Sequence, residues 1–179
     1  FLYWSITMLA KKMFWKEGEF DIIKGIVVFG SGIVGSLAFA FSDSFWFSAV
    51  EGEVYATSTF FTAIVVWAML KWETKADEKH ADKWIVFIGF LMGLSIGIHL
   101  LNLLAIPAIC FIYYFKKFKP TRKKTIYALL LSFFILAFVQ YGIIPGIPQL
   151  ASKFELLFVN SMGLPFGSGI IFYSILLIS

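Results

Sequence analysis

An all-α, polytopic transmembrane helical bundle is the fold class this sequence predicts, and three observations predict it. Of the 179 residues, 60% are hydrophobic and 15% charged, against roughly half and a quarter in a soluble domain. The apolar residues gather in runs of about 20, the length that carries a helix across a hydrocarbon core of roughly 30 Å. Fourteen of the 15 Lys and Arg residues fall in three short segments beside those runs. Together these exclude a soluble globular domain, a disordered chain and a nucleic-acid module. The net charge of +4 is that of basic flanks of membrane spans.

The bases order the elements. Lys11, Lys12, Lys16 and Lys24 form one segment; Lys71, Lys75, Lys79 and Lys83 a second; Lys116, Lys117, Lys119, Arg122, Lys123 and Lys124 a third. The polar stretches 42–53 and 145–166 hold a single base, Lys153. Cytoplasmic loops collect Lys and Arg, so the three basic segments are placed inside and the other two stretches outside. Residues 1–10 then arrive at the cytoplasm and 22–41 cross outward, with Lys24 snorkelling at the inner end. Residues 54–70 return, with Trp67 and Trp72 suited to the headgroup level. Residues 126–141 cross outward again, and Gly169 begins the next return. Around 150–158 the sequence reads as a short helix on the outer membrane surface, set among Pro145, Pro148 and Pro165.

Residues 84–115 make one apolar stretch of 32 residues between two basic segments. As a single straight helix it would be about 48 Å long and would need a tilt of about 50°, beyond the usual range. It would also place the six-base segment outside. A hairpin of two short helices, turning near Gly97 and His99, removes both conflicts; the plain alternative is one long helix kinked at Pro107. The count is six or seven membrane helices, two of them short. The chain reads as a single transmembrane domain over residues 1–179, an internal fragment of a larger protein lacking its first span and first outer loop. Cys110 lies in an apolar run and reads as a buried, inert thiol.

Three motifs bear on chemistry. Gly30, Gly32 and Gly35 match the letters of a dinucleotide fingerprint, but no strand or βαβ unit surrounds them; small residues that let membrane helices approach closely explain them. Residues 42–55 place Asp43, Glu51 and Glu53 among aromatics where a span emerges outside. If that stretch is helical, Ser48, Glu51, Tyr55, Ser58 and Thr62 form one polar stripe. Asp43 alone is an ordinary loop acid, whereas paired glutamates at the mouth of a span mark a functional cavity. His99 and Asn102 stand at the hairpin turn, which would bring them level with Glu51 and Glu53. A protonatable donor there could hold an anionic lipid headgroup. Two His and one Cys do not support a structural zinc site.

Two stretches resemble a known family: Phe45-Trp46-Phe47-Ser48-Ala49-Val50-Glu51-Gly52-Glu53-Val54-Tyr55-Ala56 and Leu91-Met92-Gly93-Leu94-Ser95-Ile96-Gly97-Ile98-His99-Leu100-Leu101-Asn102-Leu103-Leu104. The chain is similar to bacterial multispan proteins related to protein O-mannosyltransferases, of the GT-C glycosyltransferase superfamily. The resemblance implies transfer of a sugar from a polyprenyl-phosphate donor to a Ser or Thr hydroxyl of an exported protein. The reaction would occur on the outer, periplasmic face of the cell's inner (plasma) membrane. It implies catalytic roles for Glu51 and Glu53, and substrate binding by His99, Asn102, Tyr55 and Asp43. The key acid of such enzymes lies on the first outer loop, outside this sequence. Where many relatives carry a Lys near the donor phosphate, His99 stands instead. A carboxylate beside a lipid phosphate needs a cation or proton between them, which admits a divalent ion; no organic cofactor is indicated. A proton-coupled secondary transporter and a noncatalytic scaffold subunit are the rival readings, although no internal repeat of the kind carriers show is evident.

Overall fold

The computed structural model describes residues 1–15, 21–52 and 54–179, and every element among them is helical. Glu53, and with it one of the two expected catalytic carboxylates, lies outside the described residues, as does Lys16. The chain forms two compact units, residues 1–132 and 133–179.

In the first unit α1 (Leu2–Phe14) packs on α2 (Ile22–Ala40), and α4 (Val54–Lys75) packs on α1, α5 (Asp82–Ile96) and α6 (Ile106–Lys117). Local chemistry sets the ends. Asp21 caps α2 by accepting from the Ile23 N–H at 3.0 Å, and Ser42 caps the short helix α3 (Asp43–Val50) through Phe45 N–H. These side chains satisfy donors that a helix start leaves open. The α1–α2 seam explains the glycine motif. A Cβ on Gly32 would sit 2.9 Å from the Tyr3 ring and closer still to Thr7 Oγ1, and one on Gly35 would sit 2.9 Å from Ile6 Cδ1. Gly30 faces open space. Close backbone approach is what Gly32 and Gly35 provide.

The core of the unit follows α4. Val65, Ala68, Met69, Leu70 and Trp72 are buried, and Trp72 stacks on Tyr113 of α6 with ring centroids 5.3 Å apart. Trp72 is fully buried because α6 packs on the face of α4 on which it sits. Elsewhere large apolar side chains point outward: Ile22, Ile26 and Val34 of α2 are about two-thirds exposed. Such a surface requires a lipid environment. Several hydroxyls on these helices are satisfied by their own backbone, as with Ser31 to Val28 O and Thr59 to Tyr55 O, the usual solution where water is scarce, whereas those of Ser5 and Ser58 are buried without a partner among the described residues.

Four helices are long and apolar enough to cross a membrane among the described residues: Ile22–Ala40, Val54–Lys75, Leu100–Lys117 and Arg122–Ser161. Apolar helix α9 (Ser168–Ile178) is shorter, and so are α1 and α5, at 13 and 15 residues. The 32-residue apolar stretch is not one helix. It stops at Ile96, passes through Gly97–His99, forms a 3-10 turn at Leu100–Ala105 and resumes as α6, with Pro107 in the first turn where its missing N–H costs nothing.

Helix α7 (Arg122–Ala137) runs on through a π-helical stretch at Phe138–Ile143 into α8 (Ile144–Leu156) and a second π stretch at Leu157–Ser161. The sequence predicts a span over 126–141 and a separate surface helix around 150–158. The helix instead continues through Pro145 and Pro148, because the wider π turn just before them relieves the clash of a proline ring with the preceding turn. The interruption comes at Gly163 and Gly167, both with positive φ.

In the second unit α9 docks on α8. Phe154 stacks on Tyr173 at 5.4 Å, and Phe158 lies 5.2 Å from Phe172. Any Cβ on Gly169 would collide with the backbone of Phe154 and Glu155. The Glu155 carboxylate accepts from the N–H of Gly167 at 2.6 Å and of Ile170 at 3.0 Å. It thereby caps a helix start whose own N-cap is a glycine with no side chain to offer.

Candidate functional site

The helix α4 has two chemically different ends. At its C-terminal end the basic segments meet. Lys12 pairs with Glu73, Lys75 with Glu78 at 3.1 Å, and Lys116 with Asp77 at 2.8 Å, while Lys117 donates to the Ala76 carbonyl at 2.7 Å. The hydrogen bond and charge of Lys116 hold the Asp77 carboxyl below its ordinary range.

The other end carries most of the expected site residues. Tyr55, in the first turn of α4, lies against His99, ring centroids 5.4 Å apart and tilted by 51°. His99 is half-buried with extended backbone (φ −161°, ψ 140°) and caps the 3-10 turn, its Nδ1 accepting from the Leu101 N–H at 3.0 Å. An Nδ1 that accepts cannot carry a proton, so the neutral ring holds its proton on Nε2 and presents a donor there. Asn102 is fully buried. Its Nδ2 donates to Ser95 Oγ at 2.9 Å, and Ser95 in turn donates to the Met92 carbonyl at 2.8 Å. This chain of bonds ties the last turn of α5 to the 3-10 turn, across the residues that carry His99. Asn102 therefore underpins the turn, its amide donating inward to Ser95. Sequence reasoning set it beside a ligand; the Ser95 partner, seven residues away on another element, had no sequence signal.

Glu51 is exposed at the C-terminal cap of α3, and Gly52 follows at φ 69°, turning the chain before Val54. The expected single stripe from Ser48 to Thr62 is thus divided. Ser48 and Glu51 belong to α3, while Tyr55, Ser58 and Thr62 belong to α4. The cause is the glycine, whose positive φ no helix interior accommodates. Asp43 opens α3, where its charge suits the positive helix start. Neither Asp43 nor Glu51 makes an ion pair among the described residues. Beside this end, an apolar groove of about 420 Å³ runs between α1, α2, α3 and α4, with Ser5, Phe39, Phe45, Thr59 and Phe60 in its walls. Among the described residues no three His, Cys, Asp or Glu side chains gather as a metal site.

Residues 1–122 match the family described as the protein O-mannosyl-transferase TMEM260 N-terminal domain. The chain belongs to that family. The match takes in the whole of α1 to α6, and so the Tyr55–His99 contact, the Ser95–Asn102 clamp and the basic end. Relation to protein O-mannosyltransferases follows, and a glycosyltransferase family of this kind uses a sugar donor and a protein acceptor. No curated protein and no solved structure shows a significant match. With four helices fit to cross a bilayer, this member of the TMEM260 N-terminal domain family is a membrane protein.

Proposed function

We propose that the chain is part of a GT-C glycosyltransferase of bacterial type that moves a sugar from a polyprenyl-phosphate donor to Ser or Thr of exported proteins. The reaction takes place at the outer, periplasmic face of the inner membrane. The observation that carries this reading is the placement of His99 against Tyr55 at the end of α4 opposite the basic cluster. Residues 84–115 double back as a membrane hairpin in this reading. Its supports are the helix break at Gly97–His99 and the return of Lys116 and Lys117 to Asp77 and Ala76, beside the start of α5.

The chemistry then divides among these groups. Transfer needs a carboxylate to take the acceptor proton, the part of the first-outer-loop acid that lies outside this sequence, and donors to offset charge gathering on the departing phosphate. Glu51 and Glu53 hold and orient the acceptor hydroxyl, with Asp43 at the other end of α3 from Glu51. His99 directs its Nε2–H at a phosphate oxygen, Tyr55 holds the imidazole ring, and Asn102 fixes the turn beneath it. The apolar groove along α4 suits the donor's hydrocarbon chain.

The decisive experiment is a lipid-donor transfer assay on the intact protein. Glu51→Ala and Glu53→Ala should each abolish product with membrane insertion unchanged, and His99→Gln should cost about 10²-fold or more, as loss of a positioned charge-stabilising donor does. Unchanged product in the glutamate variants rejects the assignment.

A further inference from the structure

Between α1 and α4 a second groove, of about 310 Å³, is lined by Trp4, Thr7, Met8, Trp67 and Lys71. It lies at the basic end of α4, on the opposite side of the bundle's depth from His99. Trp4 and Trp67 stand with ring centroids 5.9 Å apart, and Lys71 is one turn beyond Trp67, about 6 Å along the axis. The groove therefore has an indole-lined interior and an ammonium at its rim.

That ammonium is unusual in its surroundings. Lys12, Lys75 and Lys116 have carboxylate partners, Lys117 has the Ala76 carbonyl, and Lys11 lies over the Trp15 ring. Lys71 has no such partner among the described residues. The other unpaired bases among the described residues, Lys24, Lys79, Lys83, Lys119, Arg122, Lys123, Lys124 and Lys153, are exposed, whereas Lys71 is half-buried. A cation held beside apolar surface without a counter-charge is costly. A phosphodiester over an acyl chain answers both needs, the anion on Nζ and the hydrocarbon against the tryptophans.

We infer that this groove binds one anionic phospholipid of the leaflet at the basic end, with its phosphate on Lys71 and an acyl chain laid against Trp4 and Trp67. The site is remote from the transfer chemistry, so the two can fail separately. Native mass spectrometry of the full chain, offered equal amounts of phosphatidylglycerol and phosphatidylcholine with identical acyl chains, tests it. The wild-type protein should retain one phosphatidylglycerol in preference. Lys71→Gln should cut that preference about fivefold, the worth of one base near a membrane surface, while Lys71→Arg preserves it and Lys24→Gln leaves it unchanged. Equal retention of the two lipids by the wild type overturns the site without recourse to any variant. So does full preference in Lys71→Gln, or displacement of the lipid by inorganic phosphate at the same concentration, which would put a soluble anion there.

Discussion

Three hydrogen bonds decide how His99 is presented. Leu101 N–H fixes the ring tautomer, and the Asn102–Ser95–Met92 chain fixes the backbone on which the ring stands. Asn102 also carries a buried Oδ1 with no partner among the described residues. An apolar residue of equal size there loses one bond but relieves one unsatisfied acceptor, two effects of similar size. Asn102→Leu should therefore change stability by no more than about 1 kcal/mol while lowering transfer. If it acts through the imidazole, adding Asn102→Leu to His99→Gln should cost nothing further in kcat/KM, the mark of two residues on one path. Additive losses would assign Asn102 a separate contact. Sequence alone singled out His99 and Asn102, because polar groups in an apolar run are conspicuous. It did not separate the presenter from its support. Both are polar residues at one turn, and only the position of Ser95 shows which amide is already engaged.

At the scale of helices the most legible signal was size. Gly30, Gly32 and Gly35 read as close-packing residues, and two of the three meet α1. Gly30 does not, which periodicity could not decide before the partner helix was known. The pair gives an internal control. Gly32→Ala must displace Tyr3 and Thr7 and should destabilise by about 1–3 kcal/mol, as overpacking does. Gly30→Ala meets nothing and should be neutral or, through helix propensity, stabilising by about 0.5–1 kcal/mol; thermal unfolding of both variants in one detergent checks it. Least legible was the path through Pro145 and Pro148. Proline punctuates helices in water, but a π turn re-spaces the carbonyls and lets this one continue. Glu155, which caps α9 from a neighbouring helix, was equally hidden, since nothing local ties it to Gly167.

Charge acts over the whole molecule. Asp77 takes its depressed pKa chiefly from its hydrogen bond with Lys116 and from that residue's charge, aided by Lys117. Because the folded pKa is lowered, the contribution of this pair is complete above the ordinary Asp value and disappears as pH falls through the depressed one. A carboxyl titration of Asp77 should show a midpoint below 3.8, rising toward it in Lys116→Gln; an unmoved midpoint would mean the pair is absent in the membrane. That same pair brings the third basic segment to the second, across 39 residues of chain, and so bears on topology. In a Cys110→Ala background, cysteines placed at Lys79 and Lys119 should react with an impermeant thiol reagent from one side of sealed vesicles. A cysteine at Gly52 should react only from the other. The expectation that the basic loops lie on one side and the α3–α4 corner on the other rests on the sorting of Lys and Arg by the bilayer. The doubling back proposed for 84–115 has its sequence signal in length, since 32 residues exceed what one crossing accommodates; the structure shows the stretch broken at Gly97–His99. Labelling of Lys79 and Lys119 positions from opposite sides would place His99 within a through-going helix and remove it from the level of Glu51. The proposed transfer site would then lose the group that meets the phosphate.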